Sequence, residues 1–209
     1  MVHGLSERWQ ALAETLGFND QSSDKIFRMI LASYTQYFRH YHGLDHLADC
    51  FEHHDEIKTK LLNSALVEYV VWFHDIVCVP NAKCNEELSA AASYYAAAQL
   101  GLANEFSCQA VRTILLTNHK ATAASTDEAY LLDIDLAVLG RDWASFLNYE
   151  RQIRTEYKHV PELGYRQGRR QVIEYILDRD VIYQTEYFRG KYEKTARSNL
   201  AALKEMLIN

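Results

Sequence analysis

Apolar residues recur at helical spacing along nearly the whole chain, and only two prolines, Pro80 and Pro161, interrupt it. From Asp24 to Phe38, the residues Ile26, Phe27, Ile30, Leu31, Tyr34, Tyr37 and Phe38 form one stripe at i, i+3, i+4 and i+7. Further helical stretches run from Leu44 to Leu62, through the almost wholly apolar Ala65 to Val77, and along the Tyr- and Ala-rich Glu86 to Leu100, which Gly101 closes in a C-cap position. Asn104 reads as the N-cap of a helix ending near Asn118, and Ala129 to Leu139 closes on Gly140. Asp142 caps Trp143 to His159, which Pro161 stops, and two amphipathic stretches follow at Tyr165 to Arg179 and Lys191 to Ile208. No segment alternates convincingly with period two. The pattern predicts an all-α fold, a bundle of about eight or nine helices. A length of 209 residues suits one domain with a sizeable core rather than two comfortable ones.

The balance of charge narrows the partners. A net charge of −6 argues against a nucleic-acid polymer, whose phosphates call for a basic face. A small anionic substrate stays compatible, because a bound divalent cation supplies local positive charge. The amino terminus lacks the basic-then-apolar layout of a signal peptide, and no run approaches the ~20 apolar residues needed to span a bilayer. No membrane partner and a cytoplasmic location are therefore expected. Cys50, Cys78, Cys84 and Cys108 show no C-x-x-C spacing, and reduced, partly buried thiols are the expectation.

Ionisable groups stand at positions where the apolar pattern calls for burial. In VVWFHDIV, His74 has Val70, Val71, Val77 and Cys78 as helical neighbours, and Asp75 has Val71, Trp72, Cys78 and Val79. An unpaired carboxylate there costs several kcal/mol unless a cation or strong hydrogen bonds compensate it. A metal ion satisfies both residues, and so does a hydrogen-bonded His–Asp pair. In YHGLDHL, His42 and His46 are four apart and share a face of a continuous helix, a spacing suited to two ligands or to a ligand and an acid. His53 and His54 follow on a charged stretch and read as solvated surface.

In LLDIDLAVLG, Asp133 and Asp135 point to different sides of a helix. Asp135 has Leu131, Leu132, Val138 and Leu139 around it and is the aspartate expected to be buried; Asp133 faces Ala129, Tyr130, Leu136 and Ala137. His119 ends the apolar ILLTNHK stretch, where it lines a site or caps a helix end.

The ordered set His46, His74-Asp75 and Asp135 resembles the HD superfamily of metal-dependent phosphohydrolases, over about residues 34–140. The upstream YH-x-x-x-H text is similar to that of cyclic-nucleotide phosphodiesterases, although the chain has no recognisable purine-clamping glutamine segment. The whole chain looks closer to a bacterial family of HD phosphohydrolases of about this length, with NEELSA, RTEY and ARSNLAALKE adding to the likeness. The resemblance implies a single HD-type domain over 1–209, its C-terminal helices (142–208) packing on the metal-site core. It also implies His46, His74, Asp75 and Asp135 as metal ligands and His42 as the proton donor to the leaving group.

Two imidazoles and two carboxylates suit a divalent transition ion (Mn, Co, Fe, Ni or Zn), one ion or, with Asp75 bridging and His119 contributing, two. The expected reaction is hydrolysis of a small phosphate ester, a nucleotide in particular, by metal-activated water. Glu86 is the candidate base or water-orienting group. Lys83, Lys120, Arg154 and Arg169 are the candidate phosphate-holding cations. Two alternatives carry weight beside this one: a di-iron oxygenase of the same fold, which needs more histidines between the doublet and Asp135 than His119 alone, and a metal- or nucleotide-binding regulatory module without turnover. A homo-oligomer is compatible with the Tyr- and Ala-rich helix.

Overall fold

The computed structural model describes residues 2–80 and 82–208, with nothing drawn from the side chains of residues 2 and 3. Among them the secondary structure is helical throughout, with no strand. In chain order the helices are α1 (Val2–Leu16), α2 (Asp20–Tyr34), α3 (Leu44–Ile57), α4 (Ser64–Phe73), α5 (Asn85–Leu100), α6 (Asn104–Leu115), α7 (Thr126–Asp135), α8 (Trp143–Glu156) and α9 (Glu162–Leu177). The last stretch is α10 (Glu186–Phe188), a π-helical turn at Arg189–Glu193 and α11 (Lys194–Met206). The all-α expectation holds. Nine helices correspond to segments legible in the pattern, and α1 and the short α10 add to them. No helix among the described residues is long and apolar enough to cross a membrane.

The chain divides into two compact units, residues 1–131 and 132–209, with the boundary inside α7. In the first unit, α1, α2, α3 and α4 meet on an aromatic cluster. Trp9 packs edge-on against Trp72 with centroids 5.4 Å apart, and Phe18, Phe27 and Phe51 surround the pair. Trp9 Nε1 donates to Ser23 Oγ at 2.9 Å, so the buried indole N–H keeps a partner. The inner face of α5 carries Ser89, Ala90, Ser93, Ala96 and Ala97, all buried. Such small side chains let neighbouring backbone approach closely, and the Tyr69 hydroxyl of α4 reaches the Ser93 carbonyl at 2.7 Å. The outer face of α5 exposes Leu88, Tyr94 and Tyr95.

Local chemistry sets most of the ends. Asn19 accepts from the Ser22 amide to start α2, Asn63 from the Leu66 amide to start α4, and Asp142 from Ala144 and Ser145 to start α8. Gly101 ends α5 at φ 80°, the left-handed conformation that its lack of Cβ makes cheap. Two expectations about caps are corrected. Ala103, not Asn104, precedes α6, and Asn104 Oδ1 instead accepts from the Tyr94 hydroxyl at 2.9 Å. Gly140 lies in a 3-10 turn (Ala137–Gly140) without positive φ; a Cβ there would sit 2.3 Å from Tyr192 Cβ, so glycine serves close packing rather than a left-handed cap.

In the second unit the Asn199 side-chain amide, on α11, donates to the carbonyls of Leu139 and Arg141, tying α11 to the turn after α7. The Glu193 carboxylate of the π turn accepts from the amides of Ile182 and Tyr183. Tyr183 in turn donates its hydroxyl to the Leu136 carbonyl at 3.0 Å.

Candidate metal centre

Within the first unit three donor atoms converge. His46 Nε2 lies 3.1 Å from His74 Nε2, and Asp75 Oδ2 lies 3.6 Å from the former and 3.4 Å from the latter. Two metal–ligand bonds of about 2.0–2.2 Å separate their donor atoms by about 2.8–3.6 Å as the angle between them opens from a right angle to the tetrahedral value. The triangle is therefore the size that one shared ion needs. This buried group of histidines and an aspartate could hold a metal ion.

The elements that deliver these groups differ from the expectation in an instructive way. His74 and Asp75 are not in mid-helix. α4 ends at Phe73, and His74 is its C-cap, donating its backbone N–H to the Val70 carbonyl. The segment beyond the helix end carries backbone carbonyls with no helical partner, and these need donors. Arg39 supplies them: its guanidinium donates to the carbonyls of Asp75 and Ile76 (2.8 Å to the latter) and of His42 (3.1 Å), and lies over the Tyr34 ring at 5.2 Å. One buried cation thus joins the segment bearing His42 to the segment bearing the His–Asp doublet. Pattern reading passed over Arg39; an arginine between Phe38 and Tyr41 was its only sequence signal.

His46 sits in the first turn of α3, whereas His42 lies before the Gly43 N-cap and outside the helix. The two rings still approach, with centroids 5.9 Å apart. His42 is half-buried and packs edge-on against Tyr41. His74 Nδ1 is 2.9 Å from the Val71 carbonyl, which can only accept, so Nδ1 carries the proton and Nε2 presents its lone pair inward. The His46 and His74 side chains are 3% and 2% exposed, the Asp75 side chain 23%, so the cluster opens to solvent on the carboxylate side.

One donor type was missed altogether. Cys50, a helical turn beyond His46, is buried, with Sγ 3.7 Å from His46 Nε2. The signal was available as His-x-x-x-Cys on one helix face, but a single thiol without C-x-x-C spacing did not draw attention.

Asp135 is the last residue of α7, belongs to the second unit and is half-buried, whereas Asp133 is 1% exposed. The expected order of burial is reversed. Asp133 accepts from the amides of Gln184 and Thr185 at 2.7 Å each and from the Thr185 hydroxyl at 2.6 Å, holding the start of α10. Burial pushes its carboxyl up to about 6, while the Thr185 hydroxyl and the two amides pull the other way. Partners some fifty residues away do not register in helical periodicity.

His53 and His54 are buried, not solvated. Arg8 of α1 donates to His54 Nδ1 at 2.9 Å, so that nitrogen is bare, and Nε2 is left to donate to the Ser64 carbonyl at 3.1 Å. Burial lowers the His54 pKa below its usual 6.5 despite the Ser64 bond, with Arg8 adding to the effect.

The remaining candidates are scattered. Glu86 is half-buried in the first turn of α5, and Lys83 and Lys120 are exposed. His119 ends a 3-10 turn in the left-handed region at φ 54° and is not among the first-unit residues whose donors cluster. Arg154 pairs with Glu162 and donates to the Tyr157 and Val160 carbonyls, closing the turn between α8 and α9. Arg169 is engaged by Glu150 and by the Tyr149 hydroxyl. A separate hollow of about 320 Å³ in the first unit is lined by Leu66, Val70, Arg112, Asp127 and Glu128 among others. Its carboxylates are occupied by the fold: Asp127 holds the Leu62 and Asn63 amides, and Glu128 the Ala124 and Ser125 amides.

No protein-family model matches the chain, and searches of curated proteins and of solved structures find no match.

Proposed function

We propose that the chain is a metal-dependent phosphohydrolase acting on a small phosphate ester, a nucleotide in particular. One observation carries the reading: the convergence of His46 Nε2, His74 Nε2 and Asp75 Oδ2 within 3.1–3.6 Å of one another, two of them on residues sealed from water. Its support beyond that is the resemblance of the ordered set His46, His74-Asp75, Asp135 to the HD superfamily. In this proposal Asp135 is the fourth ligand. Two imidazoles and two carboxylates favour Mn²⁺, Fe²⁺, Co²⁺, Ni²⁺ or Zn²⁺ over Ca²⁺.

Such an ion, when bound, supplies an acidified water and screens phosphoryl oxygens. The chain's own groups do the rest. Val71 holds the His74 ring in the tautomer that turns its lone pair inward, and Arg39 fixes the backbone on both sides of the cluster. The more exposed Asp75 side is where a substrate phosphate enters. His42, beside His46 and only half-buried, gives its proton to the departing oxygen. Glu86 orients the attacking water, and Lys83 and Lys120, exposed in the first unit, steer the anion. Arg154 and Arg169 are already engaged by Glu162 and Glu150 and take no part.

The test is metal content by mass spectrometry on protein purified without a nickel column, paired with phosphate release from a nucleotide panel under Mn²⁺, Co²⁺ and Mg²⁺. About one ion per chain is expected from the donor count, with turnover of some nucleotide. Asp135→Ala is expected to lose the ion. Protein that binds no divalent ion, or binds one and releases no phosphate from any ester, overturns the assignment.

A further inference from the structure

The first-unit cluster contains two overlapping donor sets that share both imidazoles. One adds the Asp75 carboxylate. The other is His46, Cys50 and His74, all three buried, with donor atoms within 4.8 Å of one another. Cys50 Sγ stands 3.7 Å from His46 Nε2. A tetrahedral ion with one nitrogen at about 2.0 Å and one thiolate at about 2.3 Å separates the two donors by about 3.5 Å. The thiol has about that separation, although its nearly equal 3.8 Å to His46 Nδ1 places it over the ring. A rotation of the imidazole or of the Cys50 side chain, which the i, i+4 relation on α3 keeps close, aims both donors at one ion.

We propose that Cys50 is a metal ligand of this centre, an alternative to Asp75 that thiophilic ions select. The inference rests on the metal-centre reading above and adds a soft donor that this reading lacks. The chemistry follows from ligand hardness. Zn²⁺ and Co²⁺ accept thiolate readily, whereas Mn²⁺ prefers carboxylate and water. The two imidazoles serve both kinds of ion, and the third donor differs: Cys50 on the buried side of the cluster, Asp75 on the side that opens to solvent. Binding through sulfur releases the thiol proton to solvent. The ion is then held by three buried residues and drawn away from the rim where a phosphate would meet it. A zinc-loaded protein is thus expected to be a poorer phosphohydrolase than a manganese-loaded one.

The deciding experiment is X-ray absorption at the zinc edge on the full chain loaded with one equivalent of Zn²⁺, set beside Cys50→Ser and Asp75→Asn. The expected wild-type shell contains a sulfur at about 2.3 Å; Cys50→Ser shows only nitrogen and oxygen at about 2.0–2.2 Å, and Asp75→Asn keeps the sulfur. The manganese-edge spectrum of the Mn²⁺-loaded protein is expected to show no sulfur. Bound zinc with a shell free of sulfur overturns the role of Cys50 and leaves the metal centre standing. Sulfur that persists in Cys50→Ser assigns it to Cys78, Cys84 or Cys108 and overturns the role equally. Failure to bind zinc at all overturns the metal centre itself. Helical circular dichroism checks that Cys50→Ser is folded; if it is not, a variant with Cys78, Cys84 and Cys108 all changed to serine takes its place, expected to keep the sulfur, and loss of the sulfur there overturns the role of Cys50.

Discussion

Asp133 and Asp135 are two residues apart with different tasks, and the difference is set by what surrounds each carboxylate. Asp133 is closed in by two amides and a hydroxyl from the segment before α10. Removing its carboxylate leaves those donors buried without an acceptor. Asp133→Ala is expected to lower unfolding stability by about 3 kcal/mol, measured as a shift in the urea midpoint. A neutral result would mean that water replaces the carboxylate. His42 is the complementary case, beside the cluster and outside its donor triangle. His42→Ala is expected to leave metal content unchanged and to cut phosphate release by a factor on the order of 10²–10⁴. Loss of the ion in that variant would make His42 a ligand rather than an acid.

Between elements, the turn after α4 decides whether the cluster exists. Helical periodicity carried α4 through to Val77, and its apolar text gave no reason to stop it. The helix stops at Phe73, and Arg39, from the segment between α2 and α3, takes up the carbonyls of Asp75 and Ile76 just beyond that end. Arg39 touches none of the donor atoms, yet it aims them. Arg39→Met is expected to keep helical circular dichroism close to wild type while weakening Co²⁺ affinity about 10–100-fold by titration calorimetry. Unchanged affinity would show that α3 and α4 hold the donors without it. At the same scale, the helix-to-helix connections at Gly101 and Asp142 were legible because their chemistry is local: a side chain caps the backbone two or three residues on, or a glycine adopts positive φ.

Over the whole molecule, histidine burial links stability to pH. His54 is held neutral between Arg8 and Ser64, and its folded pKa lies below the unfolded 6.5. As pH falls through 6.5 the unfolded chain takes up a proton that the folded chain refuses, so this group's contribution to stability declines until the folded pKa is reached. Above 6.5 both states carry a neutral ring, and the contribution is complete and constant. This group therefore lowers the urea midpoint between neutrality and mild acid, against Asp133, whose raised pKa favours the folded chain as pH falls through about 6. The wild-type midpoint is expected to lose more than that of His54→Gln over this range. An equal slope in the variant would place the titration elsewhere.

The sequence by itself determined the all-helical class, most helix positions and the caps at Gly101 and Asp142, because a 3.6-residue period and a cap are properties of neighbours in the chain. It also marked His46 and the His74-Asp75 doublet, since polar groups among apolar ones stand out without knowledge of the fold. Only the tertiary structure decided that His53 and His54 are buried, that Asp133 rather than Asp135 is the more enclosed aspartate and that α4 ends at the doublet, with Arg39 on the carbonyls beyond it. The same structure put Cys50 within reach of His46 and His74. The physical reason is common to all of these. Each depends on a partner distant in sequence, and a helix that is apolar on nearly every side, as α4 is, or buried on nearly every side, as α7 is, gives no periodic signal to say which of its polar residues that partner will meet.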